Sequence, residues 1–260
     1  MKKKIIRFVI YIILFAWIVY QFGIPKYTNI NAHEESVKLY KSIEDDTLNW
    51  QVLGYTKNAN KIYSLEIGSS ENTTLLIGNI HGDEYGSLNL VLKFARFINN
   101  NQNLLKKGVV IIPTINPDGM ESGTRKNING VDLNRNFPSK NWTPVYSEDN
   151  YYPGSAPASE KETVFVLNLI NKYKPEKVIS IHSNQHLIEY AGPAFELATE
   201  MSKKNEYKVV QYNGYSTPGS LDTYTGIDLG IPTITLELRR FNPEKAWAEN
   251  KDALISAINF

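Results

Sequence analysis

His81 and Glu84 stand three residues apart in GNIHGDEYGS, residues 78–87, a glycine-flanked stretch that follows the apolar run Thr74 to Ile77. Imidazole nitrogen and carboxylate oxygen are the ligand types that hold zinc for hydrolysis, where three protein ligands leave a fourth position for water. Alone, this H-x-x-E pair has two readings: one corner of a metal site, or a polar turn that opens a helix. A further histidine must come from elsewhere. Of the four in the chain, His182 closes the apolar run VISIHSN, His33 sits in a polar N-terminal stretch and His186 follows in a loop. Glu237, in TITLELRR, lies among apolar and threonine residues, where an unpaired carboxylate is costly. A metal-activated water would give it a partner. Between these sites, GTRKNINGVDLNRNFP, residues 123–138, gathers Arg125, Asp132, Asn134 and Arg135 after the turn signal NPDG. Arginines in a cleft suit fork-like recognition of a carboxylate and stabilisation of an oxyanion; the same residues also read as a solvated loop.

Chemistry at such separations in sequence requires elements that bring the residues together. Apolar runs of strand length occur at KIYSLEIG, TTLLIGNI, GVVIIPTI, EKVISIHS and PTITLELR. GSLNLVLKFARFINNN and SEKETVFVLNLINKYK show helical spacing, the second opening with Ser159 and Glu162 in capping-box register. EESVKLYKSIEDDTLN carries a weaker helical stripe and predicts a surface helix. Strands apolar throughout and alternating with helices predict an α/β fold with a mixed, largely parallel central sheet and helices on both faces. In such sheets ligands gather where strands end. His81, Asn116, His182 and Glu237 all fall at or near the C-terminal ends of the predicted strands. Residues 138–157, rich in Asn, Trp, Tyr, Pro and Ser, predict a long loop at the rim of a cleft.

Composition narrows the classes. The 260 residues suffice for one substantial core. With 28 basic and 27 acidic residues, no broad field for nucleic acid exists, and no nucleic-acid partner is expected. The absence of cysteine removes disulfides, thiolate zinc sites and cysteine nucleophiles, so any metal must be held by His, Asp and Glu. Lys2, Lys3, Lys4 and Arg7 precede an apolar stretch from Phe8 to about Ile24. A spanning helix needs about 20 residues, which this stretch reaches if the basic side chains snorkel. The expected organisation is a membrane anchor at 1–24, a tether at 25–33 and a catalytic domain at 34–260. The catalytic domain would lie outside the cytoplasm, held to the cell membrane by one N-terminal helix. The alternative is a signal peptide cleaved to give a secreted protein.

The ordered set HGDE, NPDG, GTR, VDLNRNF, SIHS and TLELR resembles the zinc metallocarboxypeptidases of the carboxypeptidase A type, over roughly residues 50 to 240. The closeness of GTR to GVDLNRNFP is more similar to the bacterial branch that trims murein peptides at γ-D-glutamyl-diaminopimelate bonds. The resemblance implies one zinc ion held by His81, Glu84 and His182, with Asp132 orienting His81. It implies Glu237 as the general base that passes a proton from the attacking water to the leaving amine. Arg125 would polarise the scissile carbonyl, and Asn134 and Arg135 would grip the free carboxylate of the released residue. Counting back from Glu237, the family's mobile tyrosine falls on Tyr215, 22 residues earlier, and its specificity position on Asp222, 15 earlier. An acid there goes with basic released side chains, such as those of diaminopimelate and lysine; Asp222 also reads as a cap on the turn after PGSL. The expected activity is hydrolysis of an amide bond in short murein peptides ending in a free carboxylate. A zinc deacylase of N-acyl amino acids and an inactive, surface-anchored peptide-binding module are the other readings.

Overall fold

The computed structural model describes residues 10–15, 17, 24–69, 71–212, 217–239 and 241–260. Eight strands form one mixed sheet: β1 (Gln51–Tyr55), β2 (Lys61–Ile67), β3 (Thr74–Gly78), β4 (Val109–Ile112), β5 (Lys177–Ser183), β6 (Leu187–Ala191), β7 (Lys208–Gln211) and β8 (Thr233–Leu238). Their order is β1-β2-β4-β3-β5-β8-β6-β7. The centre, β4-β3-β5-β8, is parallel, as is β6 with β7, while β1-β2, β2-β4 and β6-β8 are antiparallel.

Apart from half-buried Ser183 at the end of β5, the central strands are buried along their length because side chains alternate between two covered faces. On one face Leu76, Ile111, Ile179, Ile181, Ile234 and Leu236 meet α2 (Tyr85–Asn99), α5 (Phe195–Asn205) and α6 (Pro243–Asn259). On the other, Leu75, Ile77, Val110, Ile112 and Val178 meet Val166, Leu169 and Ile170 of α4 (Lys161–Tyr173). The expected fold is therefore the one found. Its five predicted strands are β2, β3, β4, β5 and β8.

Some local expectations change. α1 (Ile24–Lys41) starts earlier than predicted, so the segment read as a tether, residues 25–33, is helical. Ala32 is buried, and His33 Nε2 lies 3.0 Å from the carbonyl of Glu121 in the short helix α3 (Pro117–Ser122). The capping box is absent: α4 begins at Lys161, Glu160 precedes it without capping it, and the Ser159 hydroxyl donates to the Glu160 carboxylate. β1, β6 and β7 lack the strong apolar runs of the centre because they lie toward the sheet edges, where burial is incomplete.

Most of the expected anchor lies outside the described residues. Residues 10–15 are helical, and Ile10, Tyr11, Ile12, Ile13, Leu14, Phe15 and Trp17 are exposed. Among the described residues no helix is long and apolar enough to cross a membrane.

Candidate metal centre and active site

Beyond the end of β3 the chain turns sharply to present His81 and Glu84. Asn79 occupies left-handed backbone space at φ 45°, which asparagine tolerates. Its amide donates to the carbonyls of His81 and Glu84, while its oxygen accepts from Thr114 Oγ1. Gly82 serves close packing: a Cβ there would stand 2.2 Å from the Gly119 carbonyl carbon. Asn116 joins this turn to its neighbour by donating to the carbonyls of Ile80 and Arg125.

His182 arrives from the last turn of pleat of β5, in register with Glu237 of β8. His81 Nδ1 lies 2.8 Å from Glu84 Oε1, and His182 Nδ1 lies 2.9 Å from Glu84 Oε2. The two Nδ1 atoms are 3.2 Å apart, and the ligand atoms of all three residues fall within 4.8 Å of one another. Behind them, His81 Nε2 sits 3.2 Å from Asp132 Oδ1. A carboxylate only accepts, so it fixes the His81 proton on Nε2 and turns the Nδ1 lone pair toward His182 and Glu84. Three electron-pair donors then converge in a buried corner, an arrangement that requires a cation or extra protons between them. Tetrahedral zinc fits that donor set.

Electrostatics agree. Burial opposes charge on His81, but Glu84 and Asp132 outweigh it and hold its pKa up at about 9. Burial also opposes charge on Glu84, yet His81 and His182 hold its carboxyl well below the usual range. Asp132 is likewise held low, against its burial, by His81 and the arginines. Without a cation the triad therefore shares protons among its members, and a metal would take their place. Glu237 behaves oppositely: burial, assisted by Glu84 and opposed by His182, raises its pKa, which suits a group that must take up a proton.

The other expected residues fall around the same cavity, about 260 Å³, whose walls include Arg125, Asn134, Arg135, Glu189, Asp222, Thr235 and Glu237. Arg125 donates through Nε and Nη2 to Asp132 Oδ2, leaving Nη1 4.0 Å from Glu84. Asn134 Oδ1 accepts from the backbone N–H of Leu221, and Arg135 stands 5.2 Å over the Tyr151 ring. Asp222 does not cap the turn that follows it; its Oδ1 accepts from Thr235 Oγ1 at 2.5 Å. Tyr215 lies outside the described residues. His33 and His186 stand apart from the cluster, His186 packing 4.2 Å from the Tyr207 ring.

Several cavity residues escaped the sequence reading, among them Gln185, Tyr151, Glu189 and Thr235. Gln185 donates from its backbone and side-chain amide to Glu237, both at 3.4 Å. Tyr151, within the expected rim loop, faces both arginines. Glu189 sits on β6, whose half-buried strand offers only the pair of apolar residues before it as a signal.

Residues 35–193 match the family model for zinc carboxypeptidases. The chain belongs to that family. It is a zinc metallopeptidase, and the family's single zinc ion is its cofactor. It is 33% identical over 189 residues to murein peptide amidase A of Escherichia coli K12, spanning 68% of this chain and 76% of that protein. The Vibrio campbellii protein of the same name is 30% identical over 201 residues, 73% of this chain and 78% of its own length. In three dimensions the crystal structure of murein-tripeptide amidase from E. coli O157 superposes with a TM-score of 0.69 at 27% identity, covering 81% of this chain and 92% of that one. Bovine thrombin-activatable fibrinolysis inhibitor shares the fold, with a TM-score of 0.70 at 23% identity over 88% of this chain and 94% of its own.

Proposed function

We propose that this zinc peptidase acts on murein peptides, hydrolysing the amide bond before a residue with a free carboxylate and releasing diaminopimelate or lysine. The observation that carries this reading is one cavity walled by the His81, Glu84 and His182 triad, Glu237, two arginines and Asp222. Identity with two murein peptide amidases supports the substrate class.

His81, Glu84 and His182 would hold the ion, and Asp132 would keep His81 in the ligating tautomer. When bound, zinc lowers the pKa of water and polarises carbonyls. Glu237 takes a proton from the attacking water and delivers it to the leaving nitrogen. Arg125 stabilises charge on the carbonyl oxygen as it develops. Asn134 and Arg135 bind the terminal carboxylate, and Asp222 faces the released side chain.

The test is product analysis by mass spectrometry after incubating the zinc-loaded chain with L-Ala-γ-D-Glu-meso-diaminopimelate, its lysine analogue and an α-linked peptide ending in lysine. Release of the terminal residue from the γ-linked pair alone is expected. Cleavage of the α-linked peptide alone would make it an ordinary basic-residue carboxypeptidase. Activity confined to N-acetyl amino acids would make it a deacylase.

We further propose that residues 1–24 anchor the enzyme in the cell membrane with its catalytic part outside the cytoplasm. The basic start, the apolar stretch and the exposed side chains at residues 10–15 support this. Membrane fractionation with protease treatment of spheroplasts tests it: degradation of a membrane-bound protein is expected, and a soluble protein shortened at its N-terminus would indicate a cleaved signal.

A further inference from the structure

Two rungs of the sheet supply the floor of the cavity. The upper rung aligns His182 of β5, Glu237 of β8 and Leu187 of β6. Two residues deeper, the pleat brings the same face round again and aligns Ser180, Thr235 and Glu189. Thr235 is the hub of this lower rung. Its hydroxyl is 3.0 Å from Ser180 Oγ and donates to Asp222 Oδ1, while Glu189 is its partner across β6. Two carboxylates from separate elements thus flank one threonine.

Neither acid has a cationic partner among the described residues. Asp222 is 4% exposed, with Thr235 as its hydrogen-bond partner. The Glu189 carboxylate makes no hydrogen bond or ion pair among the described residues, although Glu189 lines the cavity. The cations of the same wall are engaged elsewhere, Arg125 with Asp132 and Arg135 with the Asn134 carbonyl. Burial, then the charges of Asp222 and Glu237, push the Glu189 carboxyl up to about 7. A cation is therefore what this end of the cavity lacks. A second metal would need a third converging ligand, and the cluster that offers three among the described residues is His81, Glu84 and His182. An alkylammonium has three N–H donors and can satisfy two carboxylates and a hydroxyl together.

We propose that Glu189 and Asp222 jointly bind the side-chain ammonium of the released residue, making Glu189 a second specificity-determining carboxylate. This rests on the peptidase reading above and adds to it a residue from a different strand.

The experiment compares kcat/KM for γ-D-glutamyl peptides that release lysine or norleucine, which has nearly the same shape without the amine. The wild-type enzyme is expected to favour lysine strongly. Glu189→Gln and Asp222→Asn should each cut the lysine-to-norleucine ratio by about tenfold or more, the effect of losing one charged hydrogen-bond partner. A ratio near one in the wild type, or a ratio altered by Asp222→Asn and untouched by Glu189→Gln, would overturn the proposal. Calorimetry of free lysine and norleucine on the zinc-loaded wild-type protein provides a second reading that needs neither turnover nor a folded variant. Tighter lysine binding without peptide cleavage would sink the peptidase reading and keep the ammonium site; equal binding would sink the site.

Discussion

Asp132 contacts both sides of the metal corner, with Oδ1 toward His81 Nε2 and Oδ2 toward Arg125. Removing it frees the imidazole to take the wrong tautomer and releases the guanidinium. Asp132→Ala is therefore expected to weaken zinc binding about 10- to 100-fold, read by competition with a chromophoric chelator; unchanged affinity would show that His81 is oriented by other means. Glu237 differs because it lines the cavity directly opposite His182 in the β5-β8 register without belonging to the triad. Glu237→Gln should keep its zinc, measured by elemental analysis, and lose about 10²- to 10⁴-fold in kcat. His182→Ala should lose metal and turnover together. A Glu237→Gln enzyme turning over at the wild-type rate would remove Glu237 as the base.

At the scale of elements, the site depends on turns more than on strands. The His81 turn packs against the backbone of Gly119 and Met120 so closely that Gly82 has no room for a methyl group. Gly82→Ala should displace both turns, and with them His81 and Arg125, since Gly82 N–H donates to the Arg125 carbonyl. The expected outcome is a fold that survives by far-ultraviolet circular dichroism with zinc stoichiometry well below one. Full zinc occupancy would show that the turns accommodate the added carbon. The H-x-x-E spacing was legible in sequence, yet the requirement for glycine between its members was not, because the crowding atoms come from residues 119, 120 and 124.

Over the whole molecule, the buried charges of the triad set how stability responds to pH and metal. His81 has a folded-state pKa of about 9 against an ordinary 6.5, so its contribution is complete below pH 6.5 and is lost as pH rises through about 9. Glu84 and Asp132 are held below their ordinary values of 4.5 and 3.8, so they contribute above those values and lose that contribution on acidification. Metal-free protein is expected to melt highest between about pH 4.5 and 6.5 and to lose stability toward pH 9. Zinc replaces the protons and should flatten the alkaline limb, raising Tm with metal concentration. Thermal melts across pH with and without chelator check this, and identical profiles would argue against a metal in the triad. The class of chemistry was already determined by the sequence, because ligand types, a lone acid in an apolar strand and ordered short motifs are local properties. The α/β architecture was legible too, since continuously apolar strands alternating with helices have few packings that bury both faces. The partners of each acid were decided only by tertiary structure. Asp222 reads in sequence both as the family's specificity position and as a turn cap, and only the fold, in which β8 brings Thr235 to it in the cavity wall, decides between them. Glu189 stands in a stretch without a strand prediction until the β6-β8 register sets it beside Thr235, because register across a sheet depends on the packing of both faces and is not encoded in either strand alone.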